Sequence, residues 1–209
     1  MSRTKIASIV AGMAGVAIAA LVGYLLLGEA RKAYEGRSVV SIIGDATAQL
    51  KQGLKSPSHE ALEKVEADLR EIKGWKNQQL AEATEQYLVG TREILRRRID
   101  ASQVQQRAAQ SRAALSAHMT RASMRDQSWI RTALDLKKQV ERDHFDLDVQ
   151  LTALYDLLRY FPEANKQMAP HVEASLLLDE PTRRNAQRAV QDEARRAKAE
   201  LQETRAWVR

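Results

Sequence analysis

The chain has 209 residues and no cysteine, with 33 Lys and Arg against 27 Asp and Glu and a formal net charge of +6. The lack of cysteine excludes disulfides, zinc–thiolate sites and thiol nucleophiles. A charge this mild and mixed in sign suits solubility and attraction to anionic lipid better than a nucleic-acid footprint.

After a short tail, residues 1–5, the stretch Ile6 to Leu27 carries no charge, Pro, Asn or Gln. As a helix rising about 1.5 Å per residue it reaches roughly 33 Å, enough for a hydrocarbon core of about 30 Å. A helix also satisfies its own backbone polar groups, as lipid requires. Residues 6–27 are therefore expected to form a transmembrane signal-anchor helix, with Tyr24 near one interface. A cleaved signal peptide is the rival reading. It calls for an apolar stretch of about 7 to 15 residues and a small-x-small site. This stretch is longer, and the one tolerable site, Gly28-Glu29-Ala30, carries Glu at its middle. Ala7, Ala11, Gly15, Ala19 and Gly23 recur every fourth position. That spacing lets two helix backbones approach closely in lipid, so it marks a packing face, although Ala and Gly are common in membrane helices in any case. The basic start followed by an apolar stretch places the N-terminus in the cytoplasm. Arg outnumbers Lys and Ala is frequent, which hints at a bacterial source. The expected location is the bacterial inner membrane, single-pass, with the body in the periplasm. The Lys and Arg counts on the two flanks scarcely choose a direction.

Turn residues then become rare. No Gly occurs from Thr91 to Arg209, and Ser58 to Phe161 holds no Pro. A β protein needs turn residues every 8–12 positions or so. The fold class is therefore all-α: one N-terminal transmembrane helix, then an elongated helical bundle or coiled-coil body. Residues 28–57 form a juxtamembrane segment with a short helix, Val39 to Leu54, weakened by Gly44 and Gly53. Ser56 is placed to cap the next helix, with Pro57 in its first position.

Residues 58–161 carry the long helices. Leu62, Val65, Leu69 and Ile72 step 3-4-3 along the first of them. The stretch from Trp75 to about Arg121 is long and polar, with a seam of small residues. Its run Arg96-Arg97-Arg98 covers about 200° of a helix, too wide for one flat patch, and is read as a solvated face. A hairpin bend is expected around His118 to Asp126. The best heptad seam follows: Ile130, Ala133, Lys137, Val140, His144, Leu147, Leu151, Leu154, Leu158 and Phe161. Lys137 and His144 are its polar breaks. Such residues can fix register, or simply sit at an edge with stems snorkelling. Pro162 is expected to end this helix after Phe161. Residues 162–181 form a Pro-bounded connector, and residues 182–209 a C-terminal amphipathic helix with a thin seam at Val190, Ala194, Ala197, Leu201 and Val208. The Pro and Gly interruptions argue for a folded-back bundle over one uninterrupted rod.

Chemistry is hard to find. His144 and Asp148 share a helix face, but no third metal ligand is evident. No phosphate loop, nucleophile elbow or paired Glu-x-x-His motif occurs after the apolar stretch. Aromatic residues are too few for base-stacking platforms. The expectation is a non-enzyme with no cofactor, no metal, no nucleic-acid partner and no identified small-molecule substrate. Its partners are the lipid bilayer and other proteins or copies of itself. The leading function is a membrane-anchored helical scaffold that assembles or bridges an envelope complex. The alternative is a single-span sensor whose helical body binds a ligand or partner and couples laterally to another membrane protein.

Overall fold

The scarcity of turn residues translates into very long helices. A computed structural model describes residues 28–29, 34–36, 38–121 and 127–207. All secondary structure among them is helical: α1 (38–55), α2 (His59–Glu71), α3 (Gln78–Arg121), α4 (Gln127–Met168) and α5 (Glu180–Trp207). Single 3₁₀ turns occupy Ile72–Gly74 and Ala174–Leu176. The proposed membrane helix, residues 6–27, and its small-residue face Ala7, Ala11, Gly15, Ala19 and Gly23 lie outside the described residues. No helix among the described residues is long and apolar enough to cross a membrane.

α3 and α4 form the spine, a folded-back pair of 44 and 42 residues. Each is roughly 65 Å long at a rise of about 1.5 Å per residue. α5 lies against both, antiparallel to α4. Its start meets Leu158 and its end meets Glu141, while Glu193 and Glu203 face Arg98 and Arg112 of α3. At the other end of the spine, α1, α2 and the connector 169–179 wrap around the start of α3. One continuous core runs through Ile43, Leu50, Val65, Tyr87, Leu95, Leu151, Leu154 and Leu178.

Two local expectations are corrected. The cap of α2 is Ser58, whose side chain accepts from the Ala61 N–H at 3.2 Å; Ser56 and Pro57 precede the helix. The extended backbone of Ser58 is what an N-cap requires, and it lies three residues before the N–H it satisfies. Pro162 does not end α4, which continues to Met168. A proline inside a helix withholds the N–H that the carbonyl four residues earlier would accept. Here that carbonyl is Leu158 O, and Arg183 of α5 donates to it at 3.2 Å. The connector is consequently shorter than expected. It leads into α5 through Asp179, whose carboxylate accepts from the Thr182 N–H at 2.8 Å.

The base is tied together by polar groups in an apolar setting. Tyr87 is fully buried, shares a 2.6 Å hydrogen bond with Thr47 of α1, and accepts from the Leu178 N–H at 3.2 Å. Its ring meets Phe161 edge-on at 5.2 Å. Burial pushes the Tyr87 phenol pKa up, so it stays a neutral donor and acceptor. Glu35 is buried as well, and its carboxylate accepts from the Lys76 and Asn77 N–H groups at 2.9 and 3.1 Å. These are charge-assisted bonds to otherwise open donors at the start of α3. Glu35→Ala is expected to lower stability by about 2 kcal/mol. A urea melt checks this; an unchanged midpoint would remove Glu35 from the set of contacts that hold the base.

Candidate interaction surfaces

The predicted seam residues fall unevenly. Val65, Leu69 and Ile72 are buried against the spine, and Leu62 is half-buried beside them. On α4, Val140, Leu147, Leu151, Leu154, Leu158 and Phe161 all face the interior. Ile130 does not and is 48% exposed. The reason is geometric. An α-helix drifts about 20° per heptad against a strict seven-residue repeat. From Phe161 back to Ile130 that accumulates to roughly a quarter turn, which carries Ile130 off the packed side. Lys137 is half-buried at the edge, as its long stem allows. In α5, Val190, Ala197 and Thr204 are buried while Ala194 and Leu201 are only half-buried, a thin apolar contact. Val208 lies outside the described residues.

Polar pairs supplement that thin contact. Arg98 reaches Glu193 through two bonds, 2.7 and 3.0 Å, with both side chains largely covered. Lys198 pairs with Asp148 at 3.2 Å and Arg205 with Glu141 at 3.1 Å. Arg112 meets Glu200 and Glu203 and lies 5.3 Å from the centre of the Trp207 ring. The three consecutive arginines diverge as the helical spread requires. Arg96 is exposed and Arg97 bonds Gln150 of α4, but Arg98 is tied to α5 and is no solvated residue. Past the end of α5 a clasp closes the hairpin. The His118 and Trp129 rings stack at 5.1 Å, and His118 Nε2 lies 3.0 Å from the Trp129 carbonyl.

His144 stands apart from these pairs. It is 3% exposed, and neither ring nitrogen makes a well-aligned hydrogen bond, the Ala197 backbone of α5 being a weak partner. Arg112 of α3, Glu200 and the Ala197 backbone of α5, and its neighbour Asp143 surround it. Burial is the largest influence and lowers its pKa, and Arg112 acts in the same direction. Glu200, the Ala197 backbone and Asp143 oppose them. A folded-state pKa below the unfolded value of about 6.5 means that unfolding takes up a proton as the pH falls. Its contribution to stability is therefore complete above about pH 6.5 and declines below it. Asp68 works oppositely, since burial first, then Glu71 and Asp45, raise its carboxyl to about 6. Comparing variants separates the two. His144→Leu removes two poorly partnered buried nitrogens, so it is expected to gain about 1 kcal/mol and to lose less stability on going from neutral to mildly acidic pH. Equal pH slopes in denaturant melts would refute this.

Among the described residues no group of three or more His, Asp or Glu could hold a metal ion. His144 and Asp148 do not converge, since Asp148 turns outward to Lys198. What sequence reasoning missed were the long-range polar ties: Glu35 to the start of α3, Arg98 to Glu193, and Arg183 to Leu158. Comparison with family models, curated proteins and solved structures finds no match to this chain.

Proposed function

We propose that the protein is a membrane-anchored helical scaffold whose body makes contacts and performs no chemistry. The observation that carries this reading is Glu35. It follows closely on the apolar stretch 6–27 and is clamped to the start of α3. The chain between Leu27 and Glu35 can extend at most about 27 Å. The base of the body is thereby held close to the bilayer, and a hairpin roughly 65 Å long is presented to other molecules. Tyr34 and Val40 add exposed apolar surface at that base. The bacterial inner membrane, with the body on the periplasmic side, is the location this reading favours.

The absence of native cysteine makes single-cysteine variants clean probes. Photocrosslinkers attached at the exposed positions Gln110 of α3 and Arg195 of α5 are expected to give discrete, reproducible protein adducts in native membranes. Adducts to lipid alone, or none from either position, would contradict a scaffold.

A further inference from the structure

Five large apolar side chains on α4 point away from the bundle. Phe145 and Tyr160 are each 68% exposed, and Ile130, Leu134 and Val149 lie between 45% and 48%. Ile130 and Leu134 are one turn apart, as are Phe145 and Val149. Leu134 to Phe145 and Val149 to Tyr160 are both eleven-residue steps. Such a step makes about three helical turns with only about 20° left over, and each four-residue step adds about 40°, so the five follow one stripe that winds by about 120° along the helix. That face is roughly 45 Å long and lies opposite Leu147, Leu151, Leu154 and Leu158. None of the five belongs to the core.

The sequence of this face indicates its occupant. Ile130 and Tyr160 are equally far from Phe145 along the chain, so a two-fold axis at that side chain sets these two opposite each other, with Leu134 opposite Asp156 and Val149 opposite Glu141. Charge divides at the same point. Between 131 and 144 stand four basic residues, Arg131, Lys137, Lys138 and Arg142, against Asp135, Glu141 and the buried Asp143. Between 146 and 163 stand four acidic residues, Asp146, Asp148, Asp156 and Glu163, against Arg159 alone. A face that is basic at one end and acidic at the other complements itself when reversed, and repels itself in parallel.

We propose that this face of α4 pairs antiparallel with the same face of a second copy, about a two-fold axis at Phe145. Phe145 then meets its own equivalent, Ile130 meets Tyr160, and the basic half of each α4 lies along the acidic half of the other. Such an interface is isologous and closes on itself. It deepens the scaffold reading and rests on it for its strength, because one helix face binds weakly between free molecules. The antiparallel pair sets its two bases at opposite ends of α4, so two copies anchored in one bilayer pair with α4 lying along the membrane surface, where they meet at a raised effective concentration.

The test uses the full chain in native membranes with a short bismaleimide. Phe145→Cys is expected to crosslink to a dimer. Ile130→Cys and Tyr160→Cys are expected to crosslink only when the two variants are mixed. With Phe145→Glu introduced into that mixed pair, the dimer fraction should fall at least tenfold. Phe145 is exposed, so the melt of Phe145→Glu should match that of the unaltered chain, which separates lost pairing from lost folding. Dimers from Ile130→Cys alone, or no dimer from Phe145→Cys, would overturn the proposal. Adducts from Phe145→Cys to a different protein alone would also overturn it while leaving the scaffold reading in place.

Discussion

Leu151→Asp should abolish cooperative thermal unfolding of the body. Leu151 is 1% exposed at the centre of the spine, on the side of α4 that meets α3 and α5. Truncating such a leucine to alanine costs about 2–5 kcal/mol through lost transfer energy and the cavity left behind. Aspartate adds a charge in the apolar core, which costs several kcal/mol more. Whole domains are stable by only about 5–15 kcal/mol, so the sum approaches or exceeds the total. Thr152→Asp, one residue on and exposed, should change stability by no more than about 0.5 kcal/mol. Circular dichroism melts of the two variants decide the matter. A Leu151→Asp protein that melts normally would mean that α4 does not pack on this side.

The second large effect concerns a glycine, and its sign carries the information. Gly44 and Gly53 both lie inside α1, where glycine costs about 1 kcal/mol against alanine. A Cβ on Gly53 would stand 2.2 Å from Leu95 Cδ2, deep in the core. The Leu95 side chain is itself buried, so relieving that clash means repacking, at about 1–3 kcal/mol. Gly53→Ala should therefore destabilise despite its better helix propensity. A Cβ on Gly44 would rest at an ordinary 3.5 Å from Leu176, so Gly44→Ala should gain up to about 1 kcal/mol. Denaturant midpoints shifted in opposite directions are the expected result. Stabilisation by both would mean that α1 does not approach α3 this closely.

These two glycines also mark how far the sequence could be read. Period and turn-residue scarcity are local signals, and they sufficed for an all-helical body, for a reversal of direction between α3 and α4 and for the buried side of α4 from Val140 to Phe161; the bend expected near His118 to Asp126 lies largely outside the described residues. They read Gly53 only as a weak point in a helix, because the reason for it, Leu95, lies far along the chain on α3. Pro162 misled in the same manner. A proline inside a helical pattern normally stops the helix, and the guanidinium that satisfies Leu158 O comes from the next helix. Ile130 was lost to accumulated drift between a 3.5-residue pattern and a 3.6-residue helix. His144 was visible as a polar break in the seam. Its lack of a well-aligned hydrogen-bonding partner depends on how three helices meet and leaves no trace in the local sequence.

The anchored scaffold stands or falls on residues 6–27. The most direct measurement is alkaline carbonate extraction of membranes that contain the full chain, beside a variant carrying Ile18→Arg and Leu21→Arg. The unaltered chain should stay in the membrane pellet. The doubly charged variant should be released, with the same helical circular dichroism, because both changes lie within the stretch and outside the body. Release of the unaltered chain by carbonate would show that Ile6 to Leu27 does not span a bilayer, and the scaffold would lose its anchor.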